Sequence, residues 1–355
     1  MSGRTLTIDL GLIEANARVL TRLCARHGID VCGVTKGVAG HPGVAGAMLR
    51  GGVRSLGDSR LRNLQRLRDA GVPARLQLLR VPSVGHAADV VALADESLNS
   101  ELAVLAALGG AAERRGSAHD VVVMVDLGDL REGVWPDDLP AFLRAAVAID
   151  GIRIIGLGAN LTCFGGVLPT TANMQQLASL VSQAEQVLGR GLARVSGGNS
   201  SALPLIAEGG MPSRVNEVRL GEAILLGRET GARRPWPGTS QDAVVLRGEI
   251  VERKRKPSVP IGPLGQDAMG HTPVFEDHGL VDRALVNLGV VDADPSALTP
   301  VDHRVVVLGG SSDYLVLDVT AAPDAYRVGD EVAFAVGYAA LATAASSPYV
   351  EVRAG

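Results

Sequence analysis

The chain has 355 residues, room for two domains or for one large barrel with an appendage. Its 34 Lys+Arg against 38 Asp+Glu leave a net charge of −4, which excludes the basic surface that nucleic acid or an anionic membrane demands. Hydrophobic residues make up 46% of the chain and aromatics only 3%, so a large core is expected and must be built from Ala, Val, Leu and Ile. No uncharged apolar run approaches the roughly 18 residues of a bilayer span, and the opening MSGRTLTIDL lacks the apolar stretch of a signal peptide. The three cysteines, Cys24, Cys32 and Cys163, form no CxxC pair, and their odd number suits a reduced cytoplasmic compartment.

In chain order, residues 5–9 alternate cleanly as a strand and precede a helix. Eight short runs with β-branched residues follow, at 30–34, 54–57, 75–79, 96–98, 120–126, 152–157, 193–196 and 217–220. Helix-period segments lie between them at 41–49, 60–70, 101–115, 137–147 and 174–188, with Asp58-Ser59 opening one and Gly71 and Pro73 closing it. Strand alternating with helix eight times in about 200 residues predicts a closed (β/α)8 barrel of the TIM type, with an open doubly wound sheet as the alternative. From about Arg234 the texture changes to short alternating strands at 243–251, 304–308, 315–319 and 331–336, separated by Gly, Pro and Asp. The expected organisation is therefore a barrel over residues 1–235 and a smaller, mainly-β C-terminal domain over residues 236–355, with residues 4–9 free to pair with the second.

Of the 34 basic residues, 31 are Arg and three are Lys: Lys36, Lys254 and Lys256. In such an Arg-rich background a surviving lysine is a candidate for chemistry that a guanidinium cannot perform, because only the amine loses its proton and forms a Schiff base. Lys254 and Lys256 sit in ERKRKP, a charge run that reads as a solvated strand or loop. Lys36 instead ends the first barrel strand, on the rim where parallel barrels place their chemistry. Two further groups fall on that rim. Val195-Ser-Gly-Gly-Asn-Ser-Ser-Ala202 follows the seventh strand and offers accessible backbone N–H groups and hydroxyls for a phosphate; a capped turn is the plainer reading. Arg219-Leu-Gly-Glu222 ends the eighth. A lysine across the mouth from a phosphate cradle, with an arginine between, points to pyridoxal 5'-phosphate (PLP).

These residues carry a resemblance. Together with Asp58-Ser-Arg60, Asn99-Ser-Glu101, Met124-Val-Asp-Leu-Gly-Asp-Leu-Arg-Glu-Gly133, Gly158-Ala-Asn-Leu-Thr-Cys163 and Ser311-Ser-Asp313, the chain resembles the fold-type III PLP racemases of the alanine racemase group, nearest to the ornithine racemase branch. The resemblance implies that Lys36 holds the cofactor and acts as the acid/base on one face of Cα. It implies that Ser196, Asn199, Ser200 and Ser201 bind phosphate, joined by the backbone of Gly221 and Glu222. Arg219 resembles the arginine at the pyridine nitrogen, Arg131 the one near the ring oxygen and the substrate carboxylate, and Asn160 stands where alanine racemases place a histidine. Asp313 is a candidate substrate or cofactor contact.

Two departures stand out. Alanine racemases steady the arginine matching Arg131 with a carbamylated lysine, where this chain has Met124; Asp126 or Asp129 is the expected substitute. The tyrosine that serves as the second base has no counterpart in position, and Asp267, with His271 after it, is the candidate. The resemblance further implies a homodimer whose active sites are completed across the interface, a small amino-acid substrate and no bound metal. The expected activity is interconversion of L- and D-amino acids, ornithine foremost. The alternatives are a PLP- and metal-dependent lyase of the D-threonine aldolase kind, or a non-catalytic PLP homeostasis protein. A distal ammonium on the substrate asks for a carboxylate, and Asp267, Glu276, Asp277 and Asp313 are all open candidates.

Overall fold

The structure is a computed structural model and describes residues 3–267, 270 and 272–355. The chain divides into two compact units: Leu10–Gln241, and the residues up to Asp9 together with Asp242–Gly355.

In the first unit, strands β2 (Asp30–Val34), β3 (Ser55–Asp58), β4 (Arg75–Leu78), β5 (Glu96–Asn99), β6 (His119–Met124), β7 (Ile152–Ala159), β8 (Arg194–Gly197) and β9 (Glu217–Leu220) close into a parallel barrel. Each pairs with the next, and β2 pairs with β9 to close the ring. The outer helices form for local reasons. The helix Thr171–Leu188 begins on a capping box between Thr170 and Asn173 and ends on Gly189 at φ 64°, a conformation that suits glycine. Its Met174, Leu177, Val181 and Ala184, spaced three and four apart, bury one face in the cluster that takes in Leu157 of β7 and Val195 of β8. Each such leucine contributes roughly 2 kcal/mol by leaving water.

The barrel interior is not wholly apolar. Arg194 of β8 lies 3.4 Å from Glu96 of β5, and these strands are not neighbours, so the contact crosses the interior. Arg75 and Arg153 hold Asp120 and Glu96, while Arg194 also holds Glu217. Three arginines therefore face three carboxylates, with Gln77 donating to Glu96 at 2.6 Å. Above them lie Leu98, Val122 and Met124, packed with Leu79 and Ile155.

The second unit is an eight-stranded sheet. Its path runs β12 (Leu298–Pro300), β15 (Glu331–Val336), β10 (Val244–Pro257), β11 (Leu280–Val286), β14 (Leu315–Asp318) and β13 (Val306–Gly310). Strand β1 (Arg4–Ile8) pairs antiparallel with β10 and parallel with β16 (Glu351–Ala354). A register shift between Ile250 and Glu252 lets the long β10 serve β1 and β15 with its first half and β11 with its second. No helix among the described residues is long and apolar enough to cross a membrane.

Candidate active site

The barrel gathers most of the sequence-predicted residues on one rim. Lys36 opens a single 3-10 turn, Lys36–Val38, directly after β2, and the turn ends on Ala39 in the left-handed region at φ 50°. It is exposed at the mouth, yet protein surrounds it closely enough for desolvation to push its ammonium below the ordinary lysine value. The Arg131 and Arg219 guanidiniums push the same way, while Cys163 and Asp58 oppose them.

The turn after β8 is organised by Asn199. Its Oδ1 accepts from the Ser201 N–H at 2.9 Å, and its Nδ2 donates to the Leu161 carbonyl at 2.7 Å and to Asn160 Oδ1 at 3.2 Å. Asn199 is thus a staple between the β7 and β8 loops, and it leaves the Asn160 NH2 as that residue's outward donor. Ser200 Oγ accepts from the Ala223 N–H at 3.2 Å, tying the turn to the helix Glu222–Leu226 after β9. Ser201 Oγ is buried without a hydrogen-bond partner. Gly221 packs against the end of β2, where an added Cβ would meet Val34 Cβ at 3.1 Å. The Glu222 side chain turns to Arg233 at 2.8 Å, and burial pushes its carboxyl up.

Arg219 is almost fully buried. Its Nη2 donates to the Ala159 carbonyl at 2.7 Å and its Nη1 to Ser196 Oγ. The Ser196 hydroxyl in turn donates a hydrogen bond to Glu217 Oε1 at 2.8 Å. Its hydrogen is therefore spent on holding Arg219 beside Glu217, a different use from the phosphate contact expected of it. Burial lowers the Arg219 pKa and the Glu217 carboxylate opposes that; a guanidinium keeps its charge at neutrality.

Arg131 lies in the loop after β6. Its Nε and Nη2 grip both oxygens of Glu132, and its Nη1 donates to Cys163 Sγ. Burial alone would lower its pKa, and the Glu132 hydrogen bonds reverse that and raise it. Neither expected support hydrogen-bonds it, although the Asp129 charge helps Glu132 raise its pKa. Asp126 accepts from the Gly128 N–H at 2.8 Å and Leu130 N–H at 3.2 Å, and Asp129 takes the N–H groups of Cys163, Phe164 and Val167. Both shape loops, and Glu132 does the steadying.

The remaining candidates belong to the second unit. Asp267 is an exposed loop residue whose carbonyl accepts from the Gly270 N–H at 3.0 Å. His271 lies outside the described residues. Asp313 is exposed beside Ser312, 2.8 Å from its hydroxyl, while Asp277 is engaged by Ser258 and by the Gly279 N–H. Among the described residues no group of three His, Cys, Asp or Glu side chains is arranged to hold a metal ion. Residues that sequence reasoning missed are Glu132, Glu217 and Thr35. Their one legible sign was position: each adjoins or shares a strand with a residue that was singled out.

A parallel barrel with one amine and two guanidiniums on its rim, continued by an antiparallel unit that takes in the N-terminal strand, defines a barrel enzyme of the racemase type. The model of the alanine racemase N-terminal domain matches residues 8–229, and the chain belongs to the alanine racemase family. Similar along almost their whole length are an ornithine racemase of Acetoanaerobium sticklandii, 39% identical over 98% of both chains, and a lysine racemase of Thermotoga maritima, 38% identical over 98% of this chain and 97% of that one. Among solved structures, an alanine racemase of Bartonella henselae with covalently bound pyridoxal phosphate superposes with a TM-score of 0.72 at 17% identity, covering all of both chains. A D-threonine aldolase of Filomicrobium marinum reaches the same TM-score at 18% identity over 96% of this chain and 88% of that one. These two likenesses show the fold, which racemases and lyases share.

Proposed function

We propose that the chain is a PLP-dependent amino-acid racemase acting on ornithine, with lysine as the nearest competing substrate. The observation that carries the reading is Lys36, the one lysine before residue 254, placed on the rim together with an orphaned buried hydroxyl at Ser201. The near full-length relationship to an ornithine and a lysine racemase supports the substrate class.

The residues fit the cofactor. An accessible amine with a depressed pKa suits covalent capture of an aldehyde. The unpartnered Ser201 Oγ and the bent turn through Gly198, at φ 101°, suit a phosphate oxygen. When bound, PLP supplies an electron-withdrawing ring that acidifies the substrate Cα–H. The chain supplies the rest. Lys36 holds the aldehyde and moves the proton on one face of Cα. Ser200, Ser201 and the backbone of Gly221 and Glu222 hold the phosphate. Arg219, fixed by Ser196 and the Ala159 carbonyl, hydrogen-bonds the ring nitrogen without giving up its proton. Arg131, held by Glu132, receives the substrate carboxylate, and Asn160 donates to the ring oxygen.

Racemisation needs a second acid/base group, because a single one returns the proton to the face it came from. Asp267 is proposed for that role, contributed by a second copy in a homodimer, and Asp313 for a substrate contact. The enzyme is placed in the cytoplasm.

Borohydride reduction of the purified protein followed by peptide mapping is expected to find the pyridoxyl group on Lys36. Incubation with single enantiomers of ornithine, lysine, alanine, serine and arginine in D2O should give Cα deuteration and inversion fastest for ornithine. An adduct on Lys254 or Lys256, or aldehyde release that a chelator stops, would overturn the reading in favour of another site or a metal-dependent lyase.

A further inference from the structure

Asp58 is a fully buried carboxylate at the C-terminal end of β3, beside the strand that leads into the Lys36 turn. Its Oδ2 accepts from the Thr35 hydroxyl at 2.8 Å, and its Oδ1 accepts from the Arg60 N–H and from Asn63 Nδ2, each at 2.9 Å. Among the described residues no arginine, lysine or histidine lies in ion-pair contact with it. A buried carboxylate without such a partner is costly; a neutral asparagine would keep the two bonds at Oδ1 and meet the Thr35 hydroxyl with a donating NH2, without that cost. The negative charge therefore calls for a use.

The cation it reaches is Lys36. Thr35, also fully buried, is the residue immediately before it. The Thr35 N–H donates to the Gly57 carbonyl at 2.9 Å, and the Thr35 carbonyl accepts from Val38 and Gly40, so the turn bearing Lys36 is built on this one residue. Asn63, the second side chain bound to Asp58, packs on the far end of the turn: an added Cβ at Gly40 would meet Asn63 Cβ at 2.7 Å. Asp58 thus grips the turn at both ends, through Thr35 and through Asn63.

Resting on the reading of Lys36 as the cofactor lysine, we propose that Asp58 is its positioning residue: the carboxylate aims the Thr35–Lys36 turn and keeps a negative charge behind the amine. The groups facing Lys36 are Arg131 after β6, Cys163 after β7, Arg219 on β9 and Asp58 on β3. Both arginines disfavour the ammonium, and Asp58 and Cys163 favour it. Losing the Asp58 charge alone therefore makes Lys36 a weaker base. Losing the Thr35 hydroxyl alone misdirects it while leaving the charge. Burial pushes the Asp58 carboxyl above its usual value, but it remains ionised in the alkaline range where a lysine titrates.

The three lysines make the test direct. Reductive [13C]methylation of the full chain freed of cofactor should give three lysine resonances, with Lys36 assigned by its loss in Lys36→Arg. The Lys36 resonance is expected to titrate below the other two, and Asp58→Asn should lower its midpoint by a further unit or so, about what one nearby charge exerts in a partly desolvated site. Thr35→Val should leave that midpoint in place but weaken PLP binding about tenfold, the usual effect of one buried hydrogen bond to a charged group, and Thr35→Ser should restore it. An unchanged midpoint in folded Asp58→Asn overturns the electrostatic half, and unchanged PLP affinity in Thr35→Val overturns the aiming half. Should Asp58→Asn fail to fold, Asp58→Ser takes its place in the titration, an unchanged Lys36 midpoint overturning the electrostatic half, and the two Thr35 variants decide the aiming half. The titration needs no turnover, so a missing Lys36 adduct in the wild type would sink the proposed function and leave this measurement standing.

Discussion

Cys24 and Cys32 are closed off from thiol chemistry by the core. Burial pushes the Cys24 thiol up to about 12 and raises that of Cys32 as well, with the Glu217 carboxylate adding to the effect. Cys163 is exposed in the loop after β7 and receives a hydrogen bond from Arg131. A disulfide reagent such as DTNB is therefore expected to modify one thiol in the folded protein and three after denaturation, with the native reaction abolished in Cys163→Ser. Two fast-reacting thiols in the native state would contradict this placement. The same residue scale explains what the sequence disclosed and what it hid. Lys36 stood out because arginine fills almost every other basic position. Glu217 did not, because a charged residue at the start of a short strand reads as a solvated end, whereas here Arg194 and Ser196 satisfy it within the barrel. Asp126 and Asp129 looked like supports for Arg131 on charge alone, but backbone N–H groups claimed them first.

Loops made of such contacts act as elements in their own right. The loop after β6 leaves the barrel and returns through a parallel bridge between Val125 and Val134, and Asp129 binds it to the loop after β7 through three backbone N–H groups. Leu130 and Thr162 sit in the left-handed region at φ 55° and 54°, one in each loop, where the chain bends sharply without glycine. Gly133 is the point of closest return. At φ 143° an added Cβ would lie 2.3 Å from the Asp126 backbone nitrogen and 2.6 Å from the Val125 carbonyl carbon, neither able to yield as a side chain does. Gly133→Ala should cost about 1–3 kcal/mol in urea denaturation and raise KM for the amino acid by displacing Arg131; wild-type stability would show that the loop absorbs the methyl group. At this scale the eight barrel strands were legible, since short apolar runs recur with helix-period segments between most of them. In the second unit β11, β12 and β16 were not foreseen, and β10 runs on to Pro257 through the ERKRKP charge run. The alternation there is masked, because the outer half of β10 is exposed on both faces and pairs only with β11.

For the whole molecule, the stereochemistry of racemisation sets a requirement that one rim amine does not meet. Lys36 works on one face of Cα, and inversion demands a group on the other. The four tyrosines, Tyr314, Tyr326, Tyr338 and Tyr349, all fall late in the chain, and the Tyr326 hydroxyl already donates to Asp302 at 3.0 Å. The proposed group is Asp267, with His271 after it, in a stretch rich in glycine and proline between β10 and β11 that also exposes Ile261, Leu264 and Val274. If a second copy brings Asp267 to the barrel of the first, the two defects are separable. Lys36→Ala and Asp267→Asn homodimers should each be inactive. Unfolding and refolding them together at equal amounts should produce heterodimers in which one of two sites has both groups intact. About a quarter of wild-type activity is then expected, since half of the dimers are mixed and each carries one whole site of two. Heterodimers isolated by paired affinity tags that show no activity would remove Asp267 from the mechanism and turn the search to the neighbouring residues of the same stretch.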